Sequence, residues 1–169
     1  AGAIEMGMGS NSFIPLNMAA EKAPVRAVAA FFQKDPQVLI AHPGTGVAKI
    51  ADMAGPPILL ADASKTAFWV WLKAKYGFTD AQVRSYNYSL APFLADQRAI
   101  VQGYLSSEPY QVEKEGHFKP AVFLLADEGY PGYATMVLAP NRIIETDPDM
   151  VRAFVEASAV GWKAYLHGD

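Results

Sequence analysis

The sequence predicts a layered α/β fold with a largely parallel sheet, and two observations support this prediction. Strand-like apolar runs alternate with helical patterns along most of the 169 residues, and no segment repeats at a fixed period. Hydrophobic residues make up 51% of the chain and charged residues 18%, a composition typical of a compact globular domain. A chain of this length is also long enough to bury a sizeable core.

Composition narrows the function classes. The net charge is −3 with acids and bases interspersed, so the chain has no basic stripe that would neutralise nucleic-acid phosphates. Cysteine is absent, which excludes thiol nucleophiles, thiolate metal sites and disulfides. Apolar runs such as 122–126 are far shorter than the roughly 20 residues needed to span a bilayer. The first ten residues lack the charged start and long apolar region of a signal peptide.

Glycine and proline clusters separate the predicted elements, and the cluster at 42–46 is expected to mark a change of lobe. The segments 25–32 and 37–42 are expected to be adjacent strands, and 118–126 is apolar on both faces, as in the interior of a sheet. The predicted strands are 4–8, 25–32, 37–42, 58–61, 83–88, 99–105, 118–126 and 134–139. The predicted helices are 13–23, 47–53, 67–76, 90–96, 112–116 and 147–165. The buried face of the last helix is predicted to contain Met150, Phe154, Ala157, Val160 and Gly161.

The stretch 102–115, QGYLSSEPYQVEKE, places a carboxylate, two hydroxyls and a phenol between a strand and a helical turn. Loops of this kind often hold the ligand contacts of α/β proteins. Glu108 and Pro109 also suit the first turn of a helix, because proline and acids are both favoured there. Local pattern leaves both interpretations open.

Other polar groups have the same ambiguity. Ser64, Lys65 and Thr66 present hydroxyls at a predicted helix start, where free backbone N–H groups suit an anion or a polar ring substituent. Ser10 and Asn11 follow the first strand, and either is a candidate N-cap. Aromatic residues near the breaks can stack on a flat ligand or pack in the core. They are Phe31, Phe32, Tyr110, Tyr130 and Tyr133.

Catalytic and metal motifs are not apparent. The three histidines, His42, His117 and His167, stand far apart, so the sequence predicts no metal site, and His42 is interpreted as a strand-end residue. No GxSxG elbow occurs, and the GTG at 44–46 lacks the glycine and lysine of a Walker loop. The sequence therefore predicts neither catalytic residues nor a cofactor.

Taken in order and spacing, five blocks resemble the THI5/NMT1-like (SsuA/THI5-type) substrate-binding proteins of bacterial ABC importers. The blocks are GMGSNSF, VRAVAAFFQKDPQVLIAHPG, SKTAFWVWLKAKYGF, YNYSLAPFLADQRAIVQGYLSSEPY and DPDMVRAFVEASAVGWKAYL. The likeness covers nearly the whole chain. Its most specific part is FLADQRAIVQGYLSSEPY, which resembles the family segment in which a strand delivers a Glu-Pro loop to the ligand.

The resemblance implies a type II periplasmic-binding-protein fold with two lobes that trap a ligand in the cleft between them. It assigns 1–43 to part of the first lobe, 44–126 to a complete second lobe, and 127–169 to the return into the first lobe. Because family members are longer, the chain is expected to be a fragment. The family also implies a periplasmic or lipid-anchored location and a membrane permease as partner.

Site residues follow from the family's motif positions. The resemblance implies ligand contacts from Ser10, Asn11, Gln33, Ser64, Lys65, Thr66, Glu108, Tyr110, Tyr130 and Tyr133. Glu108 is expected to accept hydrogen bonds from an amino-substituted ring, and tyrosines to stack on it. A carboxylate repels anions where the dielectric is low, which favours a thiamine-precursor-like aminopyrimidine over a sulfonate or nitrate.

Three alternatives stay open at this point. The first is a binder of sulfonate, nitrate or taurine-type anions. The second is an enzyme like the eukaryotic pyrimidine synthases of the same fold, which consume pyridoxal phosphate and a histidine of their own. Those enzymes carry a cysteine-rich motif that this chain lacks. The third is a structural or interaction module without a ligand.

Overall fold

A computed structural model describes residues 4–168, in which eight strands and six α-helices alternate. The strands are β1 (Gly7–Asn11), β2 (Val25–Phe32), β3 (Gln37–Ala41), β4 (Ile58–Leu60), β5 (Val83–Ser85), β6 (Ile100–Tyr104), β7 (Ala121–Leu124) and β8 (Ala134–Pro140). The helices are α1 (Phe13–Ala20), α2 (Phe68–Tyr76), α3 (Ala91–Ala95), α4 (Glu108–Gly116), α5 (Asn141–Thr146) and α6 (Pro148–His167). Short 3₁₀ turns cover Ile50–Met53, Asp62–Thr66, Asp80–Gln82 and Leu125–Glu128.

The chain divides into two compact units. The first unit contains the residues up to Asp35 together with those from Gly132 onward, and the second is the continuous segment Pro36–Pro131. By this division β3 is part of the second unit, whereas the sequence analysis placed 37–43 in the first lobe. The lobe assignment itself stays a prediction.

The first unit is built on a three-stranded antiparallel sheet in the order β1-β8-β2. Strand β8, close to the carboxyl end of the chain, lies between two strands from its beginning. Helix α6 packs against β2 through Trp162, whose ring lies 6.3 Å from that of Phe31 and 5.4 Å from that of Phe32. A second contact is a small core of Ala139, Ile143 and Val151, which joins β8 to α5 and α6.

The second unit contains a mixed five-stranded sheet in the order β5-β4-β6-β3-β7. Strand β4 runs parallel to β5 and β6, whereas β3 runs antiparallel to β6 and β7. Two predictions were therefore wrong: the sheets are not largely parallel, and β2 and β3 lie in different sheets. Helices α2 and α3 lie in the connections from β4 to β5 and from β5 to β6, where parallel pairing needs a crossover.

Strand β7 lies at an edge of this sheet, not in its interior as its apolar sequence predicted. All four of its residues are half-buried. Val122 and Leu124 pack against the buried cluster that includes Val38, Phe93 and Val112. An edge strand that packs in this way has the same apolar composition as an interior strand, so the sequence does not distinguish them.

Helix α6 has the predicted length but a different buried face. Val151 is 9% exposed and Val155 and Trp162 are half-buried, whereas the predicted face residues Phe154 and Val160 are 45% and 67% exposed. Val155 lies four residues after Val151, and Trp162 lies seven residues after Val155, so the three share one face of the helix. Hydrophobic residues occur all around this helix, so periodicity alone selected the wrong stripe.

A matched pair of substitutions tests this face. We expect Val151→Ala to lower the free energy of unfolding by about 1–2 kcal/mol, because it removes two methyl groups from a packed contact. Val160→Ala, the same change on the exposed side of α6, is expected to stay within about 0.5 kcal/mol of the unaltered protein. Urea unfolding followed by circular dichroism measures both. Equal losses would contradict the observed face.

Candidate ligand site at the strand ends of the second unit

The three parallel strands of the second unit end at one edge of their sheet. The Tyr86 amide, just after β5, donates to the Leu60 carbonyl at the end of β4 over 3.0 Å. The Ala61 amide, just after β4, donates to Oε1 of Gln102 in β6 over 2.7 Å. We call the residues at and directly after the ends of these strands, 61–66, 86–88 and 104–108, the strand-end edge.

Strand order makes this edge a candidate ligand site. From β4 the chain passes through α2 to β5 on one side, and then through α3 to β6 on the other side of β4. The direction of progress therefore reverses at β4. In open α/β sheets, ligands bind beside the carboxyl ends of strands at such a reversal.

Glu108 is the first residue of α4 and is held in place at this edge. Its Oε2 accepts a hydrogen bond from the Tyr104 amide over 2.8 Å, and its side chain is half-buried. A Cβ at Gly103 would lie 2.7 Å from the Cβ of Glu108 and 3.0 Å from Cδ1 of Ile40, so only glycine fits there. Glu108 is thus a helix-start residue, and its carboxylate also lies at the strand-end edge.

Tyr86 is a partner of Glu108 that the sequence analysis missed. The residue is only 4% exposed. Burial, followed by the negative charge of Glu108, raises the pKa of its phenol to about 12. The alternation at 83–88 predicted a strand that includes Tyr86, whereas β5 ends at Ser85 and Tyr86 follows it directly.

The segment after β4 is a 3₁₀ turn and not the start of α2. Ser64 is 8% exposed, and the Thr66 hydroxyl donates to the Ala63 carbonyl over 3.3 Å. Lys65 Nζ donates to Oδ1 of Asp62 over 2.8 Å, and this hydrogen bond, together with the charge of Lys65, lowers the pKa of the Asp62 carboxyl. The positive charge of Lys65 therefore already has a partner at the strand-end edge.

The candidates in the first unit lie around β1. Ser10 and Asn11 belong to this strand, so neither is the N-cap of α1; that position is Ser12, and Asn11 Oδ1 accepts from the Phe13 amide over 3.0 Å. The Ser12 hydroxyl donates to the Tyr133 carbonyl over 3.2 Å and accepts from the Tyr133 amide over 2.8 Å. Gln33 is exposed after β2, and its Nε2 donates to the Ala30 carbonyl over 2.9 Å.

The aromatic candidates separate into accessible and packed residues. Tyr110 is 62% exposed, with Lys114 Nζ 5.3 Å from its ring centre, and Tyr133 is 48% exposed. Tyr130 is only 3% exposed and packs edge-on against Phe68 and Trp71, at 6.4 Å and 5.3 Å between ring centres. Phe31 and Phe32 pack against Trp162, as described above.

Tyr88 is a further aromatic residue that sequence reasoning missed. It is 74% exposed, and its φ of 64° lies in the left-handed region. A residue with a Cβ pays roughly 1–2 kcal/mol for this conformation, which glycine adopts freely. The sequence predicts a strand over 83–88, whereas β5 ends at Ser85 and Tyr88 lies in a bend after it.

Histidine and acidic residues form no metal site in the part of the chain that the structure describes. No group of three or more metal-ligating side chains occurs among residues 4–168. His42 is a buried strand-end residue, as predicted: Nε2 lies 2.8 Å from the Phe93 carbonyl oxygen, and the ring packs against Phe93 and Phe118. Within the same range, no helix has the length and apolarity to cross a membrane.

Comparison with known proteins gives matches over nearly the whole chain. Residues 1–168 match the family described as NMT1/THI5 like. A riboflavin-binding protein, RibY, from Chloroflexus aurantiacus is 27% identical over 143 residues, which cover 82% of this chain and 40% of that protein.

Solved structures of sulfonate-binding proteins are similar in fold. The periplasmic aliphatic sulphonate-binding protein SsuA from Escherichia coli matches with a TM-score of 0.71 and 16% identity, over 98% of this chain and 56% of that one. A putative periplasmic sulfonate-binding protein SsuA from Methylobacillus flagellatus matches with a TM-score of 0.69 and 20% identity, over 96% and 51%. These likenesses confirm the predicted periplasmic-binding-protein fold, and the chain spans about half the length of these relatives.

One substitution tests the contact between β6 and α4. We expect Gly103→Ala to lower the free energy of unfolding by about 1–3 kcal/mol, because the added methyl group overlaps the Glu108 side chain and meets Ile40. Gly161→Ala in α6 is the matched control: no atom lies within 4 Å of its added Cβ, and alanine favours a helix by about 0.5–1 kcal/mol. Chemical denaturation measures both variants. A Gly103→Ala variant as stable as the unaltered protein would contradict the close approach.

The buried phenol of Tyr86 predicts a pH dependence. Its pKa is about 12 in the folded protein against an ordinary 10.0, so the unfolded chain releases this proton first as the pH rises. The contribution of Tyr86 to stability is full below pH 10 and is lost as the pH approaches 12. We expect Tyr86→Phe to lose less stability than the unaltered protein between about pH 9 and about pH 11.5. Parallel curves of unfolding free energy against pH would contradict the shift.

Proposed function

Since this chain belongs to the NMT1/THI5-like family, we propose that it forms part of a substrate-binding protein that captures a small molecule for an ABC importer. The observation that carries the proposal is the strand-end edge, where Glu108, Ser64 and Thr66 follow adjacent strands at the reversal of strand order. A proposed extracytoplasmic location and a membrane permease as partner follow from the same function. The proposed role is binding without catalysis.

The ligand class that the chemistry favours is a flat nitrogen heterocycle with N–H donors, of which a thiamine-precursor-like aminopyrimidine is our best candidate. The Glu108 carboxylate is held by the Tyr104 amide, so it is positioned in advance to accept a hydrogen bond. A fixed negative charge favours an amino group over an anion. The relative named as a riboflavin-binding protein supports a planar ring, because riboflavin is also a nitrogen heterocycle.

The proposed ligand contacts are taken unit by unit. From the second unit these are Ser64, Lys65, Thr66, Glu108 and Tyr110, and from the first unit Ser10, Asn11, Gln33 and Tyr133. Tyr130 was also a predicted contact, but its burial against Phe68 and Trp71 favours a packing role.

An anion of the sulfonate, nitrate or taurine type is the second candidate. Lys65 and the hydroxyls of Ser64 and Thr66 lie together after β4, which is a suitable donor set for an oxyanion. The ion pair between Lys65 and Asp62 weakens this candidate, because the ligand would compete with a carboxylate already 2.8 Å from the ammonium group. No comparable observation favours the pyrimidine-synthase type of enzyme, whose histidine would have to be reactive, whereas His42 is buried between two phenylalanines.

Isothermal titration with a small panel tests the proposed ligand class. The panel contains 4-amino-5-hydroxymethyl-2-methylpyrimidine, riboflavin, taurine and nitrate. We expect heat of binding from at least one of the two heterocycles and none from the anions. Binding of taurine or nitrate alone would replace this class with the anion class.

Glu108→Gln tests the carboxylate directly. The amide keeps the shape of the side chain and an oxygen that can accept from the Tyr104 amide, but it lacks the charge. We expect an amino-bearing ligand to bind more weakly by about 1–3 kcal/mol, the value of a hydrogen bond to a charged group. Glu113→Gln, an exposed change on the same helix, is the control and is expected to leave affinity unchanged. Equal affinity in both variants would limit Glu108 to a structural role.

A further inference from the structure

We propose that Tyr88 is a specificity-determining residue, whose exposed ring stacks on the flat face of the ligand while Glu108 accepts hydrogen bonds from the ligand's edge. This inference rests on the proposed function and deepens it, because it assigns recognition of a planar ring to a residue outside the family-derived site. Its support comes from the position, exposure and backbone conformation of Tyr88.

Tyr88 lies close to the Glu108 carboxylate, with the side chain of Tyr86 between them. The rings of Tyr86 and Tyr88 lie 5.4 Å apart at 51°. Tyr86 is buried just after β5, where its amide donates to the Leu60 carbonyl, and the charge of Glu108 helps to raise the pKa of its phenol. Tyr88 therefore lies at the strand-end edge, one ring away from the proposed hydrogen-bond acceptor.

Backbone conformation distinguishes Tyr88 from other exposed tyrosines. Four residues other than glycine have a positive φ in the described part of the chain: Lys22, Tyr88, His117 and Thr135. Lys22 and His117 lie where helices α1 and α4 end, a position at which the left-handed conformation is common. Thr135 lies within β8, which is held between β1 and β2. Tyr88 ends no helix. Its ring is 74% exposed, so the packing of the ring contributes little stabilisation to offset the backbone strain. Strain of this kind, retained beside a binding edge, is typical of functional positions.

The chemistry of the pair defines the ligand. An exposed phenol ring offers a π-face to any planar heterocycle, and a nearby carboxylate accepts from N–H groups at the ring's edge. Taurine and nitrate have no aromatic face to stack. A planar ring with an N–H donor can stack on Tyr88 and donate to Glu108 at the same time.

Two substitutions at this position separate binding from stability. Tyr88→Gly removes the ring and relieves the strained backbone, so we expect a melting temperature a few degrees higher and an affinity for riboflavin or the aminopyrimidine roughly tenfold lower. Tyr88→Phe keeps the ring and is expected to retain the affinity. Lys22→Gly relieves the same strain in the first unit and is expected to raise the melting temperature without changing affinity. Thermal melts and titrations with both heterocycles measure these effects.

The outcomes distinguish this inference from the proposed function. If the unaltered protein binds neither heterocycle, the proposed ligand class and this inference both fail. If it binds one and Tyr88→Gly binds that probe equally well, the inference alone is overturned. A fall in both the melting temperature and the affinity of Tyr88→Gly would show that the ring is structural, and would also overturn it.

Discussion

The second unit depends on the pairing of β6 with two strands of opposite direction. One side of β6 is parallel to β4 and the other antiparallel to β3, and four of its five residues are buried. Because both edges of β6 are hydrogen-bonded, the strand has little freedom to shift in register. The chain leaves this strand at Tyr104 and begins α4 four residues later, so the position of Glu108 follows from the register of β6.

Three buried glutamines stabilise the sheet of the second unit, because their side chains form hydrogen bonds with backbone groups. Gln102 accepts from the Ala61 amide, Gln37 donates to the Gly103 carbonyl over 2.9 Å, and Gln82 donates to the Met53 and Pro56 carbonyls over 2.9 and 3.0 Å. Each one satisfies backbone groups where regular pairing stops. Such buried and satisfied amides favour one arrangement over its neighbours, because any shift leaves a polar group without a partner. A ligand at the proposed strand-end edge would therefore meet a frame that these hydrogen bonds already hold.

The positions of most helices and strands could be predicted from local sequence. The directions of the strands, and which side chains contact one another, could not. The bounds of β2 and β8 were predicted to within one residue, because β-rich apolar runs between turn residues are a strong signal. Direction is set by the connections and by tertiary packing, which explains the wrong expectation of parallel sheets. Of the candidate site, Glu108 was found through its loop. Tyr86 was missed because the predicted strand extended to Tyr88, past the true strand end at Ser85, and Gln102 because a buried glutamine within an apolar stretch has no local signature of its role.

The interleaved order of the chain has a consequence for synthesis. All of Pro36–Pro131 is continuous, so the second unit has its whole sequence available once Pro131 has left the ribosome. In the first unit, β1 and β2 are made early, and among the described residues they pair with β8 and not with each other. These two strands must therefore wait without their partner while about a hundred residues are translated, roughly 5 to 20 seconds at ordinary rates. During that interval, the unpaired backbone groups of both strands are open to pairing with the wrong strand.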